Sequence, residues 1–385
     1  MPPNANEKIT TDSVSVSVWS NGRYYIFSVF TVSLSLFLGL AATEWLLGYQ
    51  AGQIAQSERM QPGLIQFDSK LGWRMTPGWY GTHQHHDFNT AYTINGMGFR
   101  DDSALETTKR RVAVLGDSFT FGLGVADGET FVARMNTVDT SNHFVNFGVP
   151  GYSTDQEYLL FEQIARPVAP ESVLLLVYLG NDLFDNQLPF PMQADHGKPF
   201  FRLYAGELVL NNSPVPRVSK PATARKSSLT ATILGDEYPE APLLTRTLGK
   251  LDISRRLGLF QDQIQLPDHF FDGRFRDAIT LFLALLDAIQ GSSDKKMELN
   301  IALLPGMSYI TRPGSLSDQY QEYLRKTLVL KLAGKPGVKV IDLATAMRAD
   351  RNENSRRLWY FPSEGHLTPA GHEYVAKVLI RNLEP

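Results

Sequence analysis

RVAVLGDSFT, residues 111–120, decides the reading of this chain. Val112 to Leu115 form an unbroken apolar run, the pattern of a strand buried on both faces. Gly116 closes the strand, and Asp117 and Ser118 are residues that cap a following helix. A serine just past such a strand carries its hydroxyl on the rim of a sheet. Backbone N–H groups and the helix dipole then face any negative charge that develops beside it. Taken alone, Gly-Asp-Ser reads as a helix cap.

Further apolar runs repeat the pattern: FVNFG (144–148), SVLLLVYLG (172–180), LNIALLP (299–305) and VKVIDL (338–343). Between them, helical periodicity covers 129–135, 154–165, 275–289 and 317–332. A last helix is predicted from Thr368, where Thr-Pro supplies an N-cap and a proline at the first helical position. Alternating strands and helices, with strands this uniformly apolar, predict a parallel sheet covered on both faces. In such sheets ligands bind beyond the carboxyl ends of the strands.

Outside this alternation the chain divides into further segments. Residues 1–23 are polar and predicted to be a disordered cytoplasmic tail. YYIFSVFTVSLSLFLGLAAT (24–43) carries no charge, and Trp45, Leu46 and Leu47 extend its apolar character. Twenty residues of helix span roughly 30 Å, so 24–47 is predicted to be a transmembrane helix. Lys8 and Arg23 before it predict a cytoplasmic N-terminus and an exported remainder, a single-pass protein of the inner membrane with a periplasmic domain. A cleaved signal peptide is the alternative, opposed by the long preceding tail. Residues 48–66 read as a connector and 67–385 as the globular domain. Within it, 186–265 is rich in proline and small polar residues and reads as an insertion that carries some structure of its own.

Composition removes whole classes of function. A formal net charge of -3 gives no basic footprint for nucleic acid. With no cysteine there is no disulfide framework, thiol nucleophile or thiolate zinc site. The hydrophobic share of 43% is globular rather than disordered.

The candidate chemistry lies at the strand ends. Asn146-Phe-Gly148 ends the second strand, and a glycine there lets the backbone approach an oxyanion. Gly180-Asn181-Asp182 ends the third, where an asparagine amide can serve the same oxyanion or simply close an Asx turn. Near the C-terminus, Ser363-Glu364-Gly365-His366 precedes the last helix, and a loop histidine there can reach a serine on the rim.

Together these four blocks resemble the SGNH (GDSL-like) hydrolase superfamily, from about Arg111 to Leu383. Thr93-Ile-Asn-Gly-Met-Gly-Phe-Arg100 also resembles a segment that precedes the serine block in many bacterial members. The resemblance implies a three-layer α/β/α sandwich with a flavodoxin-like parallel sheet. It also implies acyl hydrolysis or transfer without metal or cofactor. It carries the nucleophile to Ser118, the oxyanion donors to Ser118, Gly148 and Asn181, and the general base to His366. The sequence departs from the family in one place: the acid before the histidine is Glu364 where an aspartate is usual. Glu364 orients His366, or a backbone carbonyl does so and leaves a dyad.

Two rival features are weighed here. His372 is read as structural, packing or capping. His83-Gln-His-His-Asp87 has metal-ligand chemistry but reads as a solvated loop. The expected function is a serine esterase acting on an acyl group, acetyl foremost, of an envelope or extracellular carbohydrate or lipid. An O-acetyltransferase with the same site and a non-catalytic polysaccharide-binding protein are the alternatives, and protein partners are undetermined.

Overall fold

The computed structural model describes residues 18–100, 108–192, 194–220, 265–292, 297–351 and 358–383, with single positions at 233, 248, 251 and 254. Most of the expected tail and most of the expected insertion lie outside the described residues.

The described residues open with one helix, Val18–Ser57. Its stretch Arg23–Gln50 is long and apolar enough to cross a membrane, and none of its most apolar window is buried against the protein. Strands begin directly after it, ahead of Phe67. β1 (Arg59–Met60), β4 (Tyr80–Gln84) and β5 (Asn89–Thr93) form a small antiparallel sheet in the order β1-β4-β5. β2 (Ile65–Asp68) and β3 (Gly72–Met75) form a hairpin in which Phe67 stands opposite Trp73. The connector read from the sequence is thus part helix and part strand. Short, polar strands of this kind leave little apolar alternation to read.

The core is a parallel sheet of five strands: β6 (Arg110–Leu115), β7 (Asn142–Asn146), β8 (Ser172–Tyr178), and later β11 (Glu298–Leu304) and β12 (Val338–Ile341). Between them in sequence, β9 (Phe200–Tyr204) and β10 (Glu207–Asn211) make a separate hairpin within the 186–265 segment. The sheet order is β12-β11-β8-β6-β7, the flavodoxin-like arrangement. Every residue of β8 from Ser172 to Val177 is buried, as its unbroken apolar sequence requires.

Helices cover both faces. Phe131–Val138 packs with Pro369–Leu383 on one, and Thr154–Leu160 and Leu316–Leu332 pack with Asp268–Gly291 on the other. The chain leaves β6 for β7 on one side and returns to β8 on the other. The carboxyl ends of β6 and β8 therefore flank the point where the winding reverses, which is where such sheets open a crevice.

Candidate active site

Ser118 is the first residue of a one-turn helix, Ser118–Phe121, capped by Asp117, whose Oδ1 accepts the Phe119 N–H at 2.8 Å. Gly122 ends the turn at φ 82°, in the left-handed region that favours glycine. The turn holds the Ser118 hydroxyl at the mouth of the sheet, where His366 meets it. Nε2 of His366 lies 2.6 Å from Ser118 Oγ. On the other side of the ring, Nδ1 lies 2.6 Å from Glu364 Oε1. Glu364 Oε2 also accepts the backbone N–H of His366 at 2.9 Å. The extra methylene of glutamate lets one carboxylate curl back onto both groups of the same residue.

The electrostatics follow from this packing. Burial pushes the Glu364 carboxyl up, but the hydrogen bonds and charge of His366 outweigh burial and hold it below its ordinary value. Asp117 goes the other way: burial raises it to about 6, against the Phe119 N–H and the charge of His366. Glu157 and Asp182 are buried carboxyls pushed well up by desolvation and then by the charge of Asp117. Among the described residues no group of His, Asp or Glu side chains is arranged to hold a metal ion.

The three expected oxyanion donors fare differently. The Ser118 N–H, at the first position of its helix, has no partner among the described residues. Asn181 follows β8 and donates one Nδ2 hydrogen to Asp185 Oδ2 at 2.6 Å, leaving the other for a ligand. Gly148 lies so close to the serine turn that a Cβ would overlap the backbone of Thr120 and Phe121, so only glycine fits. Its N–H, however, donates to Asn146 Oδ1 at 3.0 Å. Asn146 also gives its amide to Thr120 O at 2.9 Å, which ties the Gly148 loop to the serine turn. The structure therefore brings Gly148 to the site with its donor already engaged.

Several residues have supporting roles that the sequence did not assign to them. Asp87 Oδ2 accepts the N–H groups of Ser363 and Glu364 at 2.8 and 2.9 Å, and so pins the histidine loop. Arg100 is buried beneath the serine turn. It donates to Phe121 O at 2.8 Å, Gly122 O at 2.5 Å and Val125 O at 2.5 Å, and pairs with Asp127 at 2.8 Å. The signal for Asp185 was its place four residues after Asn181, one helical turn away.

The 83–87 segment is a solvated loop only in part: His83 and Gln84 belong to β4, and residues 85–87 form the loop beyond it, with His86 exposed. Alternation along β4 turns His83 inward, where it is 1% exposed. Tyr92 Oη accepts the Gly124 N–H at 2.8 Å and bonds His83 Nδ1 at 2.9 Å, while His83 Nε2 reaches Glu58 Oε1 at 3.2 Å. Burial lowers the His83 pKa against Glu58, matching a neutral ring in that chain. His372 is likewise fully enclosed; its Nδ1 accepts the Phe131 N–H at 3.1 Å, and the ring on Ser118 is that of His366.

A flavodoxin-ordered sheet with a hydroxyl, an imidazole and a carboxylate in line at its carboxyl edge is the architecture of an acyl-ester hydrolase. The chain belongs to the GDSL-like Lipase/Acylhydrolase family, whose model matches residues 114–374. Among solved structures it is similar to the lipase Lip_vut3 from a goat rumen metagenome, at 15% identity over 71% of this chain and 97% of that one, with a TM-score of 0.40. It is also similar to a lipase/acylhydrolase from Enterococcus faecalis, at 12% identity over 71% and 94%, TM-score 0.34. The acetyl xylan esterase AlAXEase matches at 13% identity over 71% and 100%, TM-score 0.35. No curated protein matches the sequence.

Proposed function

We propose that the chain is a serine esterase in which Ser118 is the nucleophile, His366 the general base and Glu364 the acid that completes a triad. One observation supports this above all: Oγ, Nε2, Nδ1 and Oε1 stand in line with 2.6 Å on each side of the ring. His366 takes the Ser118 proton as Oγ attacks the ester carbonyl. Negative charge gathers on the carbonyl oxygen, where the Ser118 N–H and the open Asn181 hydrogen receive it. His366 then protonates the leaving alcohol. Water enters and attacks the acyl carbon as His366 takes its proton. The bond from Ser118 Oγ to that carbon then breaks, His366 returns the proton to Oγ, and the acid is released.

The substrate in this reading is an acyl ester, acetyl foremost, of an envelope or extracellular carbohydrate or lipid. The reading rests on the helix Arg23–Gln50, taken as an uncleaved anchor that holds the domain outside the cytoplasm. Protease added to spheroplasts then digests the domain, and full protection would invert the topology.

The decisive experiment is Ser118→Ala against a fluorophosphonate probe and p-nitrophenyl acetate. The wild type is labelled and turns over the ester; the variant does neither while keeping its melting temperature. Unchanged turnover would remove Ser118 from the chemistry. Release of free acetate, against transfer to a glycan, separates hydrolase from transferase.

A further inference from the structure

A second concavity lies beside the loop that follows Gly148. The β2–β3 hairpin forms one wall and residues 196–219 the other, around a space of about 300 Å³. Trp73 is common to both places. It lines the concavity, donates Nε1–H to Pro150 O at 3.0 Å, and lies under Gly151, where a Cβ would stand 3.2 Å from its ring. Pro150 and Gly151 come directly after Gly148 and Val149 in the chain.

The walls are held before any ligand arrives. Val215 N–H donates to Ser69 O at 2.7 Å, and Gly72 fits against Gly197 O so closely that a Cβ would stand 2.7 Å from it. A preformed cleft loses little ordering entropy on binding.

Its lining has a specific chemistry. Phe67 is 37% exposed, and the Arg217 guanidinium lies over its ring at 4.3 Å from the centroid. Among the described residues no carboxylate pairs with Arg217. Asp68, its neighbour on the hairpin, points to the opposite face and is taken up by the N–H groups of Lys70 and Leu71 and by Arg74. The His196 ring stands 6.4 Å from that of Trp73, and Ser219 adds a hydrogen-bonding group. Flat aromatic faces suit the C–H face of a sugar ring. A guanidinium already oriented by stacking suits a carboxylate, which it takes through two parallel N–H bonds. The space is at the small end for a ligand pocket and fits one monosaccharide unit.

We propose that this concavity is a subsite for a carboxylate-bearing sugar, a hexuronate unit of the glycan whose ester reaches Ser118, with Arg217 gripping the carboxylate and Phe67 the ring. This rests on the esterase reading above and narrows its substrate to acylated anionic polysaccharide.

The test is calorimetric binding to the full chain in detergent micelles, with unacylated galacturonate trisaccharide and with neutral xylotriose. The wild type binds the acidic trisaccharide more tightly. Arg217→Gln weakens that binding roughly tenfold and leaves xylotriose unchanged, the size expected for one lost charge-assisted contact. Phe67→Ala weakens both sugars. Neither variant alters turnover of p-nitrophenyl acetate. Equal affinity for the two sugars, or an Arg217→Gln protein that binds like wild type, overturns the subsite. Because neither sugar carries an ester, this result is independent of Ser118: loss of the esterase reading shows in the p-nitrophenyl acetate assay, loss of the subsite in the calorimetry.

Discussion

Glu364 holds His366 at two points, Oε1 on ring Nδ1 at 2.6 Å and Oε2 on the backbone N–H at 2.9 Å. In the proposed triad the first contact sets the tautomer that leaves Nε2 free to take a proton. The second fixes the carboxylate itself, so the ring is held by a group that cannot rotate away. Asp87 in turn holds the backbone of Glu364.

Glu364→Gln is isosteric but offers either an amide N–H or a neutral oxygen to Nδ1. With the N–H facing the ring, the imidazole is driven to the wrong tautomer. We expect kcat on p-nitrophenyl acetate to fall by roughly 10³–10⁴, as for loss of a triad acid. Glu364→Asp, too short for both contacts, falls less. Steady-state kinetics on the two variants check this, and a Gln variant within a factor of a few of wild type would reduce the site to a Ser-His dyad.

The fold was legible where burial is symmetrical. The runs around Val112–Leu115 and in β8 are apolar throughout because helices cover both faces, and that pattern survives in one dimension. Ser118 and Asn181 were legible because they fall just past the ends of those runs, and His366 because it stands in the loop before the last helix. What could not be read is pairing between distant, polar segments. Asp87 meets Ser363 only in the folded chain, and nothing in either local sequence announces the other. His83 was misread because its alternation with Gly81 is short and polar, so its inward face looked like loop. That the Gly148 N–H is spent on Asn146 depends on a side-chain rotamer that no motif records.

Asp185 is predicted to set the aim of Asn181. Its carboxylate takes the Asn181 amide at 2.6 Å and the Met192 N–H at 2.8 Å. Asn181→Ala removes an oxyanion donor and lowers kcat by roughly 10²–10³. Asp185→Ala leaves the donor but frees its orientation, so kcat falls by about tenfold, within that limit, and KM for a small ester holds. If Asp185→Ala raises KM alone, Asp185 shapes the binding cleft rather than the oxyanion donor.

Arg100 supports the serine turn from below, with its guanidinium on three carbonyls and stacked 4.5 Å from the Tyr92 ring centroid. Arg100→Met leaves the Phe121 and Val125 carbonyls without this donor, while Gly122 O keeps the Val125 N–H and, among the described residues, the Asp127 carboxylate keeps only the Thr93 N–H. Losing one partner of a buried charged network costs about 3–5 kcal/mol. Chemical denaturation measures this directly. Arg100→Lys restores the charge but reaches at most part of the fork, so its stability falls between the two. A fully stable Met variant would mean that solvent reaches those carbonyls.

His372 gives a prediction whose sign depends on pH. Its ring is buried, accepts the Phe131 N–H, and has its pKa lowered by desolvation from 6.5 to about 3. In the unfolded chain the imidazole takes up a proton below 6.5, while in the folded chain it stays neutral down to about 3. Between those values the unfolded state binds more protons, so this group's contribution is complete above pH 6.5 and is lost as pH falls toward 3. The slope is at most about 1.4 kcal/mol per pH unit. His372→Ala removes the bond and opens a cavity, lowering stability at pH 7 by about 2–4 kcal/mol. It also removes the acid-side slope, so the gap between wild type and variant narrows as pH drops from 7 to 4. Urea unfolding at pH 7, 5.5 and 4 measures both effects, and turnover by the folded variant separates them from catalysis. A gap that stays constant with pH would show that His372 titrates alike in both states. A folded but inactive variant would move the base from His366 to His372.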